Sequence, residues 1–194
     1  MIDPLRDFSE ACREEFQNLE PFYIVGRLYP TLNPAKVANC CRTANCAAAE
    51  SGMWKRKGTR TNSAEVERLL RTHALILAEI DGVLVGSVNV NLMSDGVESS
   101  ACSWLTFTTA EKGIGSALVD RAENWARDMA CHTMRLELLT PRNWTHPSKE
   151  FLRKWYSRSG YKPQATESFE ILHPELVPEL ATECDFTVWH KSLA

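Results

Sequence analysis

The stretch Glu111-Lys112-Gly113-Ile114-Gly115-Ser116-Ala117-Leu118-Val119 joins two segments of different period. Before it, Ser100 to Phe107 is rich in Trp, Leu, Thr and Phe and reads as a strand. After it, Leu118, Val119, Ala122, Trp125, Ala126 and Met129 recur at helical spacing. A strand that enters a helix through two glycines leaves backbone N–H groups free at the helix start. Together with the positive end of the helix dipole, they suit a pyrophosphate. A Gly-x-Gly turn is equally what a tight connection needs, so the rest of the chain has to decide between the two.

Composition sets the bounds. The 194 residues suffice for one domain with a substantial core and are few for two. With 44% hydrophobic and 24% charged residues, the chain has the balance of a soluble globular protein. A net charge of -3 argues against general nucleic-acid binding. No apolar run approaches the roughly 18 residues that a membrane span needs. The start, Met1-Ile2-Asp3-Pro4-Leu5-Arg6-Asp7, lacks the apolar core of a signal peptide. Seven cysteines, odd in number, are expected as reduced thiols, which implies a cytoplasmic location. Residues 1–20 form a peripheral helix or an arm on this reading, with no membrane partner and a monomer or homodimer as the assembly.

Along the chain, Phe22 to Leu28 is extended and Asn33-Pro34 starts a helix running from Ala35 to about Glu50. A basic loop, Lys55 to Arg60, precedes Ser63, which suits an N-cap for a helix bearing Val66, Leu69 and Leu70. Ala74 to Ile80 and Val83 to Leu92 are β-branched runs joined by Asp81-Gly82, a hairpin signal. Met134 to Leu139 reads as a strand, Phe151 to Ser157 as a helix ended by Gly160, and Phe186 to Lys191 as a terminal strand. The segment Trp144-Thr145-His146-Pro147-Ser148-Lys149 reads as an inserted loop that covers the site.

Three motifs in this order carry a resemblance. Trp155-Tyr156-Ser157-Arg158-Ser159-Gly160-Tyr161 resembles the aromatic-Tyr-x-x-x-Gly-aromatic signature of the GNAT superfamily of acetyl-CoA-dependent N-acetyltransferases. The glycine turn stands one strand before it, and the hairpin strand Val83-Leu84-Val85-Gly86-Ser87-Val88 resembles that family's hairpin. The match is firm over Ala74 to Pro163 and looser from Phe22 to Lys191. It implies a mixed α/β domain over residues 1–194, with a mostly antiparallel twisted sheet of six to seven strands. Helices flank that sheet, and two central strands splay apart.

The resemblance also implies an activity: acetyl transfer from acetyl-CoA to a primary amine by direct attack in a ternary complex, with no metal. The backbone of Leu105, Thr106 and Phe107 would pair with the pantetheine arm, and Gly113, Ile114, Gly115 and Ser116 would wrap the pyrophosphate. Lys112 and Ser116 are either contacts to it or solvated side chains. Ala110 stands where the family has Gln or Arg, which removes a side-chain clasp, and Phe107 stands where proline is common. Tyr156 would protonate the departing thiolate, against the alternative of a packed aromatic. Asn143 matches a pantetheine-contacting asparagine only loosely, because its interval to Tyr156 is long.

The base that deprotonates the amine is open among Glu98, Glu79 and Glu137, with Glu98 nearest the expected level of the strand. Relayed water is a further route. Cys40, Cys41, Cys46 and the Cys131-His132 pair lack zinc-ligand spacing and read as ordinary thiols and a surface imidazole. The Trp54 to Arg60 segment, a basic loop bearing Trp with Met53 just before it, either shapes the acceptor pocket or is simply an exposed basic loop. A small-molecule amine is the expected acceptor. A protein lysine or N-terminus is the alternative, and a non-catalytic acyl-CoA sensor is a third reading.

Overall fold

A computed structural model of the chain describes residues 23–25, 50–55, 63–72, 74–80, 83–94, 99–107 and 113–194. The expected helix from Ala35, the basic residues 56–60 and the Asp81-Gly82 turn lie outside the described residues.

Among the described residues seven strands form one sheet in the order β1-β2-β3-β4-β5-β7-β6. They are β1 (Tyr23–Val25), β2 (Leu75–Ile80), β3 (Val83–Ser94), β4 (Ser99–Phe107), β5 (Thr133–Pro141), β6 (Lys162–Ser168) and β7 (Cys184–Ser192). Every neighbouring pair is antiparallel except β4 with β5, which is parallel. The helices are α1 (Ser63–Arg71), α2 (Ile114–Asp128), α3 (Pro147–Arg158) and the single turn α4 (Phe169–Leu172), which leads into a 3-10 turn at Pro174–Glu179. The parallel pair is joined through α2, as a parallel connection requires.

Strand alternation divides the core by face. On one face Ile76, Val88, Val90, Met134, Leu136 and Leu138 meet Leu118, Ala122 and Ala126 of α2 and Tyr156 of α3. Leu118, Ala122 and Ala126 are fully buried, and a leucine so placed contributes about 2 kcal/mol. On the other face Val66 of α1 meets Leu77. Met53, Leu139, Phe169, Leu180 and Phe186 form a further cluster that joins the 50–55 segment to the connection between β6 and β7.

Several sequence expectations are revised. Met129, expected on the buried face of α2, is 38% exposed. The helix stops before it: Ala130 takes a left-handed φ of 59°. The N–H of Cys131 returns to the Ala126 carbonyl at 2.9 Å. Residues 144–149 are not wholly a loop. His146 caps α3, Pro147 opens it, and its side chain accepts from the Ser148 N–H. The strand β6 carries no strand signal in the sequence, because Lys162-Pro163-Gln164-Ala165-Thr166-Glu167-Ser168 has no apolar alternation. It is an edge strand held by backbone pairing to β7, with a register shift between Pro163 and Ala165 that accommodates the proline.

Candidate active site

The pairing between β4 and β5 is brief. It runs Ser100↔Thr133, Ala101↔Met134, Cys102↔Arg135 and Ser103↔Leu136, and then stops. Beyond that point β4 continues to Phe107 paired with β3. In the same way β5 continues to Pro141 paired with β7. Among the described residues, Trp104–Phe107 and Glu137–Pro141 therefore present backbone edges to each other without a ladder between them. This is the splayed pair that the resemblance implied, and it includes the backbone of Leu105, Thr106 and Phe107.

Gly113, next described after β4, is the N-cap of α2 with φ 69° and ψ 8°. A left-handed cap of this kind strains any residue with a β-carbon, which accounts for the glycine. The first intrahelical bond is Ala117 N–H to Gly113 C=O at 3.0 Å. The N–H groups of Ile114, Gly115 and Ser116 precede it and have no acceptor within the helix. The first turn of α2 carries no acidic residue and Gly113 makes no side-chain cap, so this end of the helix keeps its attraction for an anion. Ile114 is buried, whereas Gly115 and Ser116 are half-buried. Lys112 and Ala110 lie outside the described residues.

The end of α3 gives physical content to the Tyr-x-x-x-Gly-aromatic spacing. Gly160 has φ 90°, its N–H returns to the Ser157 carbonyl at 3.2 Å, and the Tyr161 N–H returns to the Tyr156 carbonyl at 3.0 Å. These two bonds make a Schellman motif, whose usual companion is an apolar contact between the same two outer residues. Here it is the edge-on packing of the Tyr156 and Tyr161 rings, with centroids 6.0 Å apart. Tyr156 is 6% exposed and also packs on Trp155 and Trp189. Its ring thus belongs to the core even where its hydroxyl has other work.

Beside this motif lies a buried polar cluster that sequence reasoning missed. Glu123 of α2, 3% exposed, accepts from the Tyr161 hydroxyl at 3.0 Å and from Lys191 Nζ at 2.8 Å on both carboxylate oxygens. Arg127 approaches the same carboxylate at 3.6 Å. Burial and the Glu123 carboxylate hold the Tyr161 phenol far above its ordinary value, so it remains a hydrogen-bond donor. The signal was present in the sequence. Glu123 follows Val119 and precedes Ala126 in the phase of the buried stripe, where a charge has to find partners.

The other expected site residues are dispersed. Asn143 is exposed and its amide donates to Glu183 Oε2 at 3.2 Å. Glu98 lies outside the described residues. Glu137, on the β5 side of the splay, is held by Arg135 at 2.7 Å. Glu79 sits on β2, two strands from β4 in the sheet. Met53 is fully buried, and Trp54 packs on Phe169 while donating its indole N–H to Glu50 at 2.7 Å. Both therefore serve the second core, not an open basic loop. Burial pushes the Cys184 thiol up to about 11 and the Cys131 thiol upward as well, so neither is a thiolate at neutral pH. Among the described residues no group of three or more His, Cys, Asp or Glu side chains is arranged for a metal ion. Nor is any helix there long and apolar enough to cross a membrane.

Comparison with known proteins agrees with this geometry. No curated protein matches the sequence significantly. Among solved structures, yncA of Salmonella typhimurium, determined with its cofactor acetyl-CoA, superposes with a TM-score of 0.62. The two share 14% identity over 90% of this chain and 95% of that one. An aminoglycoside 6′-N-acetyltransferase complexed with coenzyme A gives the same TM-score and identity, over 90% of this chain and 98% of that one. The NatC complex bound to Gag peptide and CoA gives 0.57 at 13% identity, over 83% and 91%. At such identities these likenesses concern the fold alone. The sequence pattern of the acetyltransferase (GNAT) family matches residues 47–161, more than half of the chain. The chain belongs to the acetyltransferase (GNAT) family.

Proposed function

We propose that residues 1–194 form one N-acetyltransferase domain that moves an acetyl group from acetyl-CoA to a primary amine of a small molecule. The observation that carries this reading is the splay after Ser103 and Leu136, followed directly in the fold by the left-handed Gly113 cap. The chain's residues suit acetyl-CoA as co-substrate. An extended pantetheine can pair with the edge of Leu105–Phe107, while the N–H groups of Ile114, Gly115 and Ser116, with Lys112 adding charge, face its pyrophosphate. Asn143 is a weaker contact to the pantetheine, since Glu183 already holds its amide.

In the reaction the amine nitrogen forms a bond to the thioester carbonyl carbon and the carbon–sulfur bond breaks. The bonding pair stays on sulfur, which takes the proton of the Tyr156 hydroxyl. The amine must first lose a proton, and Glu98 is our first candidate for that base, ahead of Glu79 and of Glu137 with its Arg135 partner. The second proton leaves the nitrogen as the amide forms and, directly or through water, restores the Tyr156 hydroxyl. Attack is direct, in a ternary complex. Two buried free thiols, Cys131 and Cys184, suit a reducing, cytoplasmic setting.

A small acceptor is our first reading and a protein lysine or N-terminus the second; the 50–55 segment, where the loop expected to shape the acceptor pocket begins, is tied to the β6–β7 connection. Lys55 N–H donates to the Glu179 carbonyl at 2.8 Å, Ala181 N–H to the Met53 carbonyl at 2.9 Å, and Trp54 bridges Leu180. The test is release of CoA thiol from acetyl-CoA in the presence of amines in parallel panels: aminoglycosides, polyamines and arylalkylamines in one, lysine and N-terminal peptides in the other. Turnover confined to the first panel is the expected result. Turnover only with peptides would replace the acceptor, and binding of acetyl-CoA with no turnover in either panel would make the chain an acyl-CoA sensor.

A further inference from the structure

Tyr156 is not anchored by its own helix alone. Its carbonyl and ring are both held by Tyr161, through the 3.0 Å backbone bond and the edge-on ring contact. Tyr161 is in turn held by its phenol on Glu123. Glu123 sits on α2, ten residues and so about 15 Å along the helix from Gly113. Lys191 of β7 locks the carboxylate from the far side through both oxygens, and its side chain lies over the Tyr161 ring at 5.5 Å. A continuous run of hydrogen bonds and ring packing therefore links the helix that begins at the glycine turn to Tyr156 in the last turn of α3. A carboxylate only 3% exposed is poorly placed to move, because it is held by Arg127 of its own helix, by Lys191 of β7 and by the Tyr161 phenol after α3.

We propose that Glu123 and Tyr161 are positioning residues, which fix the distance between the Tyr156 hydroxyl and the thioester of an acetyl-CoA whose pyrophosphate is gripped at Gly113–Ser116. This rests on the reading of Tyr156 as the proton donor to sulfur. A core contact without that role would affect stability, or the binding of acetyl-CoA, but not the proton-transfer step selectively. Misplacing a reacting group by a fraction of an ångström slows that step while leaving the ground-state grip at the glycine turn untouched.

The experiment is a double-mutant cycle on thiol release from acetyl-CoA, with hydroxylamine as acceptor. Hydroxylamine is largely uncharged at neutral pH, so it needs no deprotonation before attack, and its uncatalysed reaction with acetyl-CoA is subtracted. The variants are Tyr161→Phe, Tyr156→Phe and both together, with Glu123→Gln as a second probe of the same link. Tyr161→Phe keeps the ring and the backbone bond, so folding, verified by circular dichroism, is retained even where Glu123→Gln proves unstable. The expected result is a fall in kcat of about 10- to 100-fold for Tyr161→Phe, no change in KM for acetyl-CoA, and no further loss when it is added to Tyr156→Phe. Losses that multiply in the double variant, or a raised KM with kcat intact, would overturn the clasp while leaving Tyr156 as the acid. Parental turnover in Tyr156→Phe would overturn both.

Discussion

The side chain of Lys191 lies 3.5 Å, at Cε, from the point where a β-carbon on Gly160 would stand. That is ordinary van der Waals separation, so space is not what demands glycine at this position. The backbone is, since φ is 90°. Gly160→Ala is expected to lower stability by about 1–2 kcal/mol through strain alone, with the lysine in place. Urea denaturation checks this. A loss much beyond that range would mean that the Lys191 stem, and with it the Glu123 ion pair, had been pushed aside.

The end of α2 presents the opposite case. Ala130 occupies the left-handed position of the same kind of helix stop, with φ 59°, its N–H on the Arg127 carbonyl at 2.9 Å. Ala130→Gly is expected to stabilise the protein by about 0.5–1 kcal/mol, the relief of strain outweighing the added freedom of the unfolded chain. A lower urea midpoint in the variant would contradict this account.

His146 supplies a pH dependence. Its Nδ1 accepts from the Ser148 N–H at 3.2 Å as the cap of α3. Burial first, and then the Lys149 charge, hold the imidazole below its ordinary 6.5, although the Ser51 backbone and Glu50 oppose this. Lys149 is itself paired with Glu50 at 2.9 Å, and Glu150 follows it on α3. The folded imidazole is neutral, so its contribution is complete above 6.5. As pH falls below that value the unfolded chain takes up a proton that the folded one resists, and stability declines through the folded value. His146→Asn keeps a capping acceptor and cannot titrate in this range. The drop in urea midpoint between pH 7.5 and pH 5.5 should shrink in this variant. An unchanged drop would assign the acid sensitivity to other groups.

Acetyl-CoA should raise the melting temperature, because a ligand bound only by the folded state adds RT ln(1 + [L]/Kd) to stability. Gly115→Trp puts an indole over the N–H groups of the first turn of α2 and should abolish the shift, and Gly113→Trp should do so with an added strain cost from its φ of 69°. A full shift in both variants would place the pyrophosphate elsewhere.

What was legible in the sequence is what local chemistry dictates. Strand β4, the glycine turn and α2 announce themselves by a change of period, and the Schellman stop at Gly160 by a single glycine after an aromatic run. Strand β6 did not, because an edge strand with most of its side chains in water is held by its neighbour's backbone and leaves no apolar pattern. Met129 misled for a related reason: helical phase says which way a residue would point, not where the helix ends. For the candidate site, the glycines and Tyr156 were visible as a pattern of spacing. Glu123 was hidden, since its partners Tyr161 and Lys191 lie 38 and 68 residues away.

The four-pair seam between β4 and β5 has a consequence for anything that enters beyond it. Each strand keeps its antiparallel partner on the outer side, β3 for one and β7 for the other. An extended chain laid along Trp104–Phe107 would thus meet donors and acceptors already turned toward it, and no bond of the sheet would have to break to admit it. The cleft is preorganised in the sense that its cost falls on folding, so the hydrogen bonds made on arrival count toward affinity undiminished by any rupture within the protein.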